Sequence, residues 1–266
     1  MKSHVRPGRS LLLAVSLALA VAVGPGTSAS AAARSERLLY SASWNAVPVA
    51  RAELTIETED GVASAVHLRG RAETNEVLDL LWRMRDSFEA TVATTPPGPR
   101  RFVLRQHENG HRRETTITHD DGRHVLTGRK RKPGRPGRSA EIPVRDRVHD
   151  PASFGYLIRT LPPELDQAQR YEVFTGTKSY VLSVRPAGEE VVSALGQRWR
   201  ARRLKLALAP VPTGEPSTRH AQPKIQEADL WVSSGSERLP LRLEGFTLWG
   251  YVAVQLVGRP APAPPP

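Results

Sequence analysis

The chain has 266 residues, with 38 Lys and Arg against 27 Asp and Glu, a formal net charge of +11, and no cysteine. Without thiols there is no disulfide staple and no thiolate zinc site, so stability must come from a buried core. The positive excess favours anionic partners without deciding the fold, and the length suits one large β domain as well as two small ones.

Three early cations, Lys2, Arg6 and Arg9, precede the uncharged run LLLAVSLALAVAVG (11–24), then Pro25-Gly26 and the small-residue stretch TSASAAA. This is the pattern of a secretory signal peptide, predicted over 1–33. Ala29 and Ala31, or Ala31 and Ala33, supply the small side chains that the peptidase requires, so the mature chain is expected to begin at Ala32 or Arg34. An apolar run of about 14 residues is short of the ~20 that a spanning helix needs. No cysteine follows it for lipid attachment, and Arg6 and Arg9 are not adjacent, against twin-arginine export. Loss of the leader leaves a charge of about +8, and the expected address is the periplasm, where the anionic partners are lipid headgroups and other polyanions.

From Leu38 onward, short alternating stretches broken by Gly, Pro, Asn and Asp predict ten or eleven strands in one β-rich domain, 34–257. The first strands fold back at Asp60-Gly61, with Leu54 expected opposite Leu68 and Ile56 opposite Val66. Asn109-Gly110 and Asp121-Gly122 are dipeptides that tolerate tight type I′ turns. Pairing outward from the first sets Glu108 opposite His111, Arg105 opposite Glu114 and Phe102 opposite Ile117. The second sets His119 opposite His124 and Ile117 opposite Leu126, so Phe102, Ile117 and Leu126 form one apolar row across an antiparallel meander.

The run TGRKRKPGRPGRSAEIPV (127–144) follows, carrying Arg129, Lys130, Arg131, Lys132, Arg135 and Arg138 without an acid among them. Gly134-Arg135-Pro136 has the look of an AT-hook, an arm for the minor groove of DNA. Pro133 stands where such a hook wants an arginine, and an exported chain does not meet chromosomal DNA, so nucleic acid is excluded as a partner. The stretch is expected to be a long solvated loop before a short strand at Ala140 to Val144, able to touch an anionic membrane surface.

Two helices are predicted. Asn75 to Arg83 has Asn75 as its N-cap, and Asp150 to Leu161 has Asp150 as cap, Pro151 in the first turn and Pro162-Pro163 as its stop. In the second, Phe154, Leu157, Ile158 and Leu161 share a face that should lie on the sheet. Further meanders turn near Gly176, Ala187-Gly188, Gly196 and Ser234-Gly235, with Leu204, Leu206 and Leu208 alternating against Lys205 and Ala207. The tail 258–266, GRPAPAPPP, has no core-forming content.

Chemistry is sparse. Of the histidines at 107, 111, 119 and 124, only His119 and His124, with Asp120 or Asp121 nearby, are expected close enough to share an ion. There is no Gly-x-Ser-x-Gly elbow and no glycine-rich phosphate loop before a helix, and Glu189 and Glu190 point to opposite faces of a strand. No catalytic residue, cofactor or metal ligand is therefore assigned. A curved sheet lined by Trp82, Phe154, Trp231 and Trp249 can hold a lipid or another apolar small molecule, or these rings can simply fill the core.

The order of LLYSASWNAVPVARAELTI, DPASFGYLIRTLP, YEVFTGTKSYVLSV, GEEVVSALGQRWRARRL and ADLWVSSGSERLPLRLEGFTLWGYVAVQL resembles the exported bacterial proteins of domain-of-unknown-function family number 3108, from about Leu38 to Leu256. The usual family opening has glycines around the second strand, where this chain has Ala46, Pro48 and Ala50. The closing element, a Trp strand, a turn and RLPLRLE, is similar to the end of the lipoprotein carriers of the bacterial envelope, which are half-barrels with an apolar cavity. These resemblances imply an envelope protein, mostly antiparallel β, and supply no catalytic residues.

The expectation is an all-β fold with minor α: a single antiparallel, strongly curved sheet or incomplete β-barrel with one or two short helices packed on it. Its expected function is non-enzymatic binding of a lipid or other apolar ligand. The alternatives are a hydrolase or metal-binding protein using His119 and His124, and a structural module contacting anionic membrane through the basic loop. Mass spectrometry of the exported protein should find its N-terminus at Ala32 or Arg34; an intact Met1 end in the membrane fraction would overturn the cleaved leader.

Overall fold

In a computed structural model, residues 34–58, 65–161, 166–211, 226–247 and 250–260 are described. The predicted leader, the expected fold-back at Asp60-Gly61, Pro162-Pro163, Trp249 and the end of the Pro-rich tail lie outside them. The strands are β1 (Arg34–Trp44), β2 (Val47–Thr58), β3 (Ala65–Thr74), β4 (Arg85–Thr94), β5 (Pro97–Glu108), β6 (His111–Asp120), β7 (Val125–Lys132) and β8 (Arg135–Pro143). There follow β9 (Val148–His149), β10 (Gln169–Phe174), β11 (Ser179–Ala194), β12 (Gln197–Pro210), β13 (Glu227–Ser233), β14 (Pro240–Thr247) and β15 (Gly250–Gly258). Helix α1 is Glu76–Asp79 and α2 is Pro151–Thr160.

All fifteen strands share one sheet in the order β8-β7-β6-β5-β4-β3-β2-β1-β15-β14-β13-β12-β11-β10-β9. Every pairing is antiparallel except that of the two-residue β9, which runs parallel to β10. The chain is thus a meander in which β15 returns to pair with β1, as Leu39 to Trp44 meet Val252 to Gly258. Period-2 alternation turns one face of each strand inward: Leu38, Tyr40 and Ala42 on β1, Leu54 and Ile56 on β2, Val252, Val254 and Leu256 on β15, all buried.

Helix α2 lies against that inner face. Its start follows from local sequence: the Asp150 carboxylate accepts from the Ser153 N–H at 2.8 Å, the Ser153 hydroxyl answers the Asp150 N–H, and Pro151 occupies the first turn. Phe154 and Ile158 are fully buried, and the Phe154 ring packs edge-on to Tyr171 and His149 at 5.6 and 6.4 Å. The helix touches β4 and β5 on one side and β9 and β10 on the other, so it bridges two halves of the sheet that are far apart in strand order. An inner face covered in this way has to curl around the helix, which makes the sheet an incomplete barrel.

A second contact closes the wall. Gly128 on β7 meets the turn between β10 and β11, where a β-carbon on Gly128 would sit 1.9 Å from the Gly176 carbonyl oxygen. No ladder joins β8 to β9 among the described residues, so the seam is closed by a backbone contact and by α2, not by strand pairing.

Several expectations shift. Asn109-Gly110 turns as predicted, with Glu108 opposite His111, Arg105 opposite Glu114 and Phe102 opposite Ile117. At the next turn residues 121–124 all lie outside the ladder, so His119 faces Leu126 and Ile117 faces Gly128, two residues from the expected register. The same two-residue slip occurs in β2–β3, where Ile56 faces Leu68 and Leu54 faces Gly70. Slips by two keep each side chain on its face, so the buried sets survive. Ala187-Gly188 is a bulge inside the long β11, not a turn. A further turn, at Asn45-Ala46, has φ of 48° and 67°, which Asn tolerates and Ala rarely adopts. The basic run 127–144 is not a loop: it forms the hairpin β7–β8, turning at Pro133-Gly134, and it raises the strand number above ten or eleven.

Replacing Gly128 by Ala should therefore destabilise the fold by roughly 2–3 kcal/mol, the range for forcing a methyl group into packed structure. Gly137→Ala, in the same hairpin with 3.4 Å to its nearest neighbour, should change little. Urea denaturation of both variants checks this; equal stability would mean that the seam is not closed at Gly128.

Candidate functional site

Strand alternation splits the basic hairpin between two faces. Arg129 and Arg131 point outward, where with Glu114, Thr116, Thr118 and Thr127 they line a shallow groove on the outer wall. Lys130 points inward with Leu126 and Gly128. Its ladder neighbours are Thr115 on β6 and Arg138 on β8, and its Cε would lie 3.6 Å from a β-carbon placed on Gly176. Arg113 joins it on the inward face of β6, and Lys178 comes from the β10–β11 turn. Among the described residues no carboxylate pairs with Lys130, Arg138 or Lys178. Burial pushes the Lys130 ammonium down to about 8, and the positive charges of Arg113, Lys178 and Arg138 push the same way.

Next to these cations is a polar chain on β4 and β5. The Asp86 carboxylate accepts the His107 N–H at 2.9 Å, and Gln106 donates to Glu108 at 3.1 Å. Arg113 donates to the Gln106 side-chain oxygen at 3.4 Å. Burial pushes the Asp86 carboxyl up to about 6, while the hydrogen bonds from His107 and Gln106 and the charge of Arg113 pull it back. Asp86, Gln106, Glu108, Arg113, Thr115 and Lys130 thus form a polar quarter of the interior at one end of the barrel, with Arg138 exposed at its edge.

That end carries the other notable feature. Because the strands alternate in direction, the β1–β2 turn, α1, the β5–β6, β7–β8 and β10–β11 turns and the β14–β15 connection share one rim. Contacts link much of it: the Asn75 amide donates to Pro48 O, Arg83 N–H to the Asn109 side chain, and Tyr251 N–H to the Asn45 side chain. Five large apolar side chains stand exposed on it: Val47 (59%), Val77 (72%), Leu80 (87%), Leu81 (81%) and Phe246 (74%). Exposed cations interleave with them at Arg83, Arg112, Lys132 and Arg135.

The remaining sequence expectations fare unevenly. His124 sits in the turn at φ 51°, and His119 bonds to Asp121 at 3.2 Å, so the two do not form a cross-strand pair. No three His, Asp or Glu side chains are placed to hold a metal among the described residues. Glu189 and Glu190 each bind their own arginine, Arg200 and Arg203. Of the four expected lining residues, Trp82 and Phe154 are buried in the core and Trp249 lies outside the described residues. Trp231 is on the opposite, outer face, stacked between the guanidinium groups of Arg203 and Arg242 at 5.3 and 5.6 Å, with its indole N–H donating to Glu190. They form no common wall. The five exposed residues Val47, Val77, Leu80, Leu81 and Phe246 were missed, although for the α1 members NEVLDLLWR has more apolar residues than one short helix can bury.

Asp86 gives a pH test. Its carboxyl binds a proton more tightly in the folded chain than in the unfolded one, so between about pH 4 and 6 stability should fall as pH rises, by roughly 1–3 kcal/mol. Asp86→Asn, which keeps an acceptor for the His107 N–H, should be more stable than the parent by about that amount at pH 7 and equal to it near pH 4. Urea denaturation at the two pH values checks this; a loss of stability at pH 7 would mean that Arg113, not burial, governs the group.

One solved structure shares this architecture. A β-barrel-like protein of the unknown-function family DUF1849 from Brucella abortus has a TM-score of 0.54 at 8% identity, covering 85% of this chain and 96% of that one. A protein from Bacteroides fragilis, named for inferred export and a YmcC-like fold, has a TM-score of 0.35 at 10% identity, covering 90% and 99%. A protein from Parabacteroides distasonis, named as an inferred lipoprotein, has a TM-score of 0.35 at 7% identity, covering 85% and 95%. Comparison with curated proteins finds no match. The sequence profile of one family, Protein of unknown function (DUF3108), matches residues 39–257, and the chain belongs to that family.

Proposed function

We propose that this is an exported, non-enzymatic protein of the bacterial envelope that works by seating its α1 rim on an anionic lipid surface. The observation that carries the reading is the coincidence, on one rim, of Val47, Val77, Leu80, Leu81 and Phe246 with Arg83, Arg112, Lys132 and Arg135. An apolar fringe interleaved with cations suits the boundary between headgroups and acyl chains, where aliphatic side chains gain by leaving water and cations gain from anionic headgroups. The leader supports delivery to the periplasmic side of a membrane. On the outer wall, by contrast, arginines are matched across strands by acids, as in Arg37–Glu53, Arg69–Glu57, Arg105–Glu89 and Arg123–Glu141.

This reading moves the lipid from the interior, where α2 is packed, to the rim. It also replaces the basic loop as the sole contact, since Arg129 and Arg131 face the outer groove.

Co-sedimentation with vesicles of phosphatidylcholine, alone or mixed with phosphatidylglycerol, tests it. Binding should require phosphatidylglycerol and weaken with added salt. Leu80→Ser combined with Leu81→Ser should weaken it about tenfold or more, while Val191→Ser, on the far half of β11, should leave it unchanged. Equal binding by the Leu80/Leu81 variant, or none to anionic vesicles, would sink the proposal.

A further inference from the structure

The inward cations at the mouth point to a binding site that the rim alone does not explain. We infer that Lys130, Arg138, Lys178 and Arg113 form a pocket for one phosphate group, carried either by a lipid headgroup or by a soluble phosphate ester. Three separate parts of the chain supply it: β6 brings Arg113, the β7–β8 hairpin brings Lys130 and Arg138, and the β10–β11 turn brings Lys178. Such convergence of like charge opposes folding unless something neutralises it, and among the described residues no carboxylate pairs with three of the four.

Two features favour phosphate over other occupants. Cations arriving from several directions suit a tetrahedral, multiply charged group better than a planar carboxylate, and lysine binds phosphate well as a point charge. Arg113 is also held by Gln106, and the acids of the polar chain, Asp86 and Glu108, lie on β4 and β5, with Asp86 engaged by the His107 N–H and Glu108 by Gln106. The lysine at the centre is therefore left to a ligand. Nucleic acid, with its extended row of phosphates, does not suit a mouth whose cations face inward. The outward Arg129 and Arg131 share their groove with Glu114 and form no such pocket.

The inference deepens the rim reading by placing a headgroup phosphate inside the docked mouth, but it rests on a separate set of side chains, so the two can fail independently. Calorimetric titration of the full mature protein with inorganic phosphate and, separately, with a short-chain phosphatidic acid kept below its micelle concentration measures the pocket. Lys130→Met, which preserves side-chain length, should weaken both by about tenfold or more, as should Lys178→Gln on the turn. Arg129→Gln with Arg131→Gln, on the other face of the same strand, should leave both unchanged.

Tighter binding of the short-chain lipid than of inorganic phosphate would assign the group to a headgroup; equal binding would assign it to a soluble ester. Phosphate binding that survives in the Leu80/Leu81 variant while vesicle binding is lost would separate pocket from rim. No saturable binding of either probe, or equal effects from the inward and outward substitutions, would overturn the pocket.

Discussion

Arg159 is 2% exposed, on the last turn of α2, and the rest of the barrel depends on how its charge is held. It donates to Glu36 on β1 at 3.2 Å and to the Glu237 carbonyl, between β13 and β14, at 2.6 Å. Arg238 in turn donates to the Leu161 carbonyl at the end of the helix. Burial works against the guanidinium, and the Glu36 carboxylate offsets it, so removing Glu36 would leave a buried cation without its counter-charge. A tie of this kind fixes the end of α2 against the middle of the sheet while Phe154 packs its start against Tyr171 and His149.

With α2 seated at both ends, the curvature follows. Among the described residues the sheet has two free edges, β8 and the two-residue β9, and edges that neither pair nor hide are hazards for association. Here α2 covers β9 and β10 from inside, and Gly128 lets the β10–β11 turn come into backbone contact with β7. The barrel is therefore closed by small residues and a helix, and the cost is a mouth whose inner wall is polar. Asp86, Gln106, Arg113 and Lys130 occupy positions that alternation would otherwise give to apolar side chains. Elsewhere most inward strand positions are apolar, from Ala to Leu, Val and Phe, so the polar quarter is a local departure from the pattern that builds the core.

The exposed rim and the cationic mouth both come from this geometry. The α1 rim exposes aliphatic side chains because α1 is too short to fold them inward: Asn75 caps four helical residues, Leu78 is half-buried against the core, and Trp82, beyond the helix, is buried in it. The mouth gathers cations because β6, the β7–β8 hairpin and the β10–β11 turn end beside one another. Neither feature uses the tryptophan-lined interior suggested by the sequence, since Trp231 serves the outer wall as a plate between Arg203 and Arg242.

Local rules made much of this legible in advance. The Asn109-Gly110 turn set its own register and Asp150-Pro151 marked the start of α2, because each depends on a few neighbouring residues. Alternation also identified the buried face of most strands, and it survived two-residue slips in register because the side-chain period is two. What sequence could not supply was anything that depends on closure. The run from Arg129 to Arg138 has the composition of a solvated loop, and only pairing with β6 makes it a hairpin whose members face opposite sides of a wall. Arg138 faces Lys130 across the hairpin itself, whereas Lys178 lies forty residues beyond Arg138 and comes near Lys130 only because the sheet closes. Composition determines that this chain is basic and β-rich; the tertiary fold decides which of its charges converge, since that depends on contacts between strands at opposite ends of the sheet.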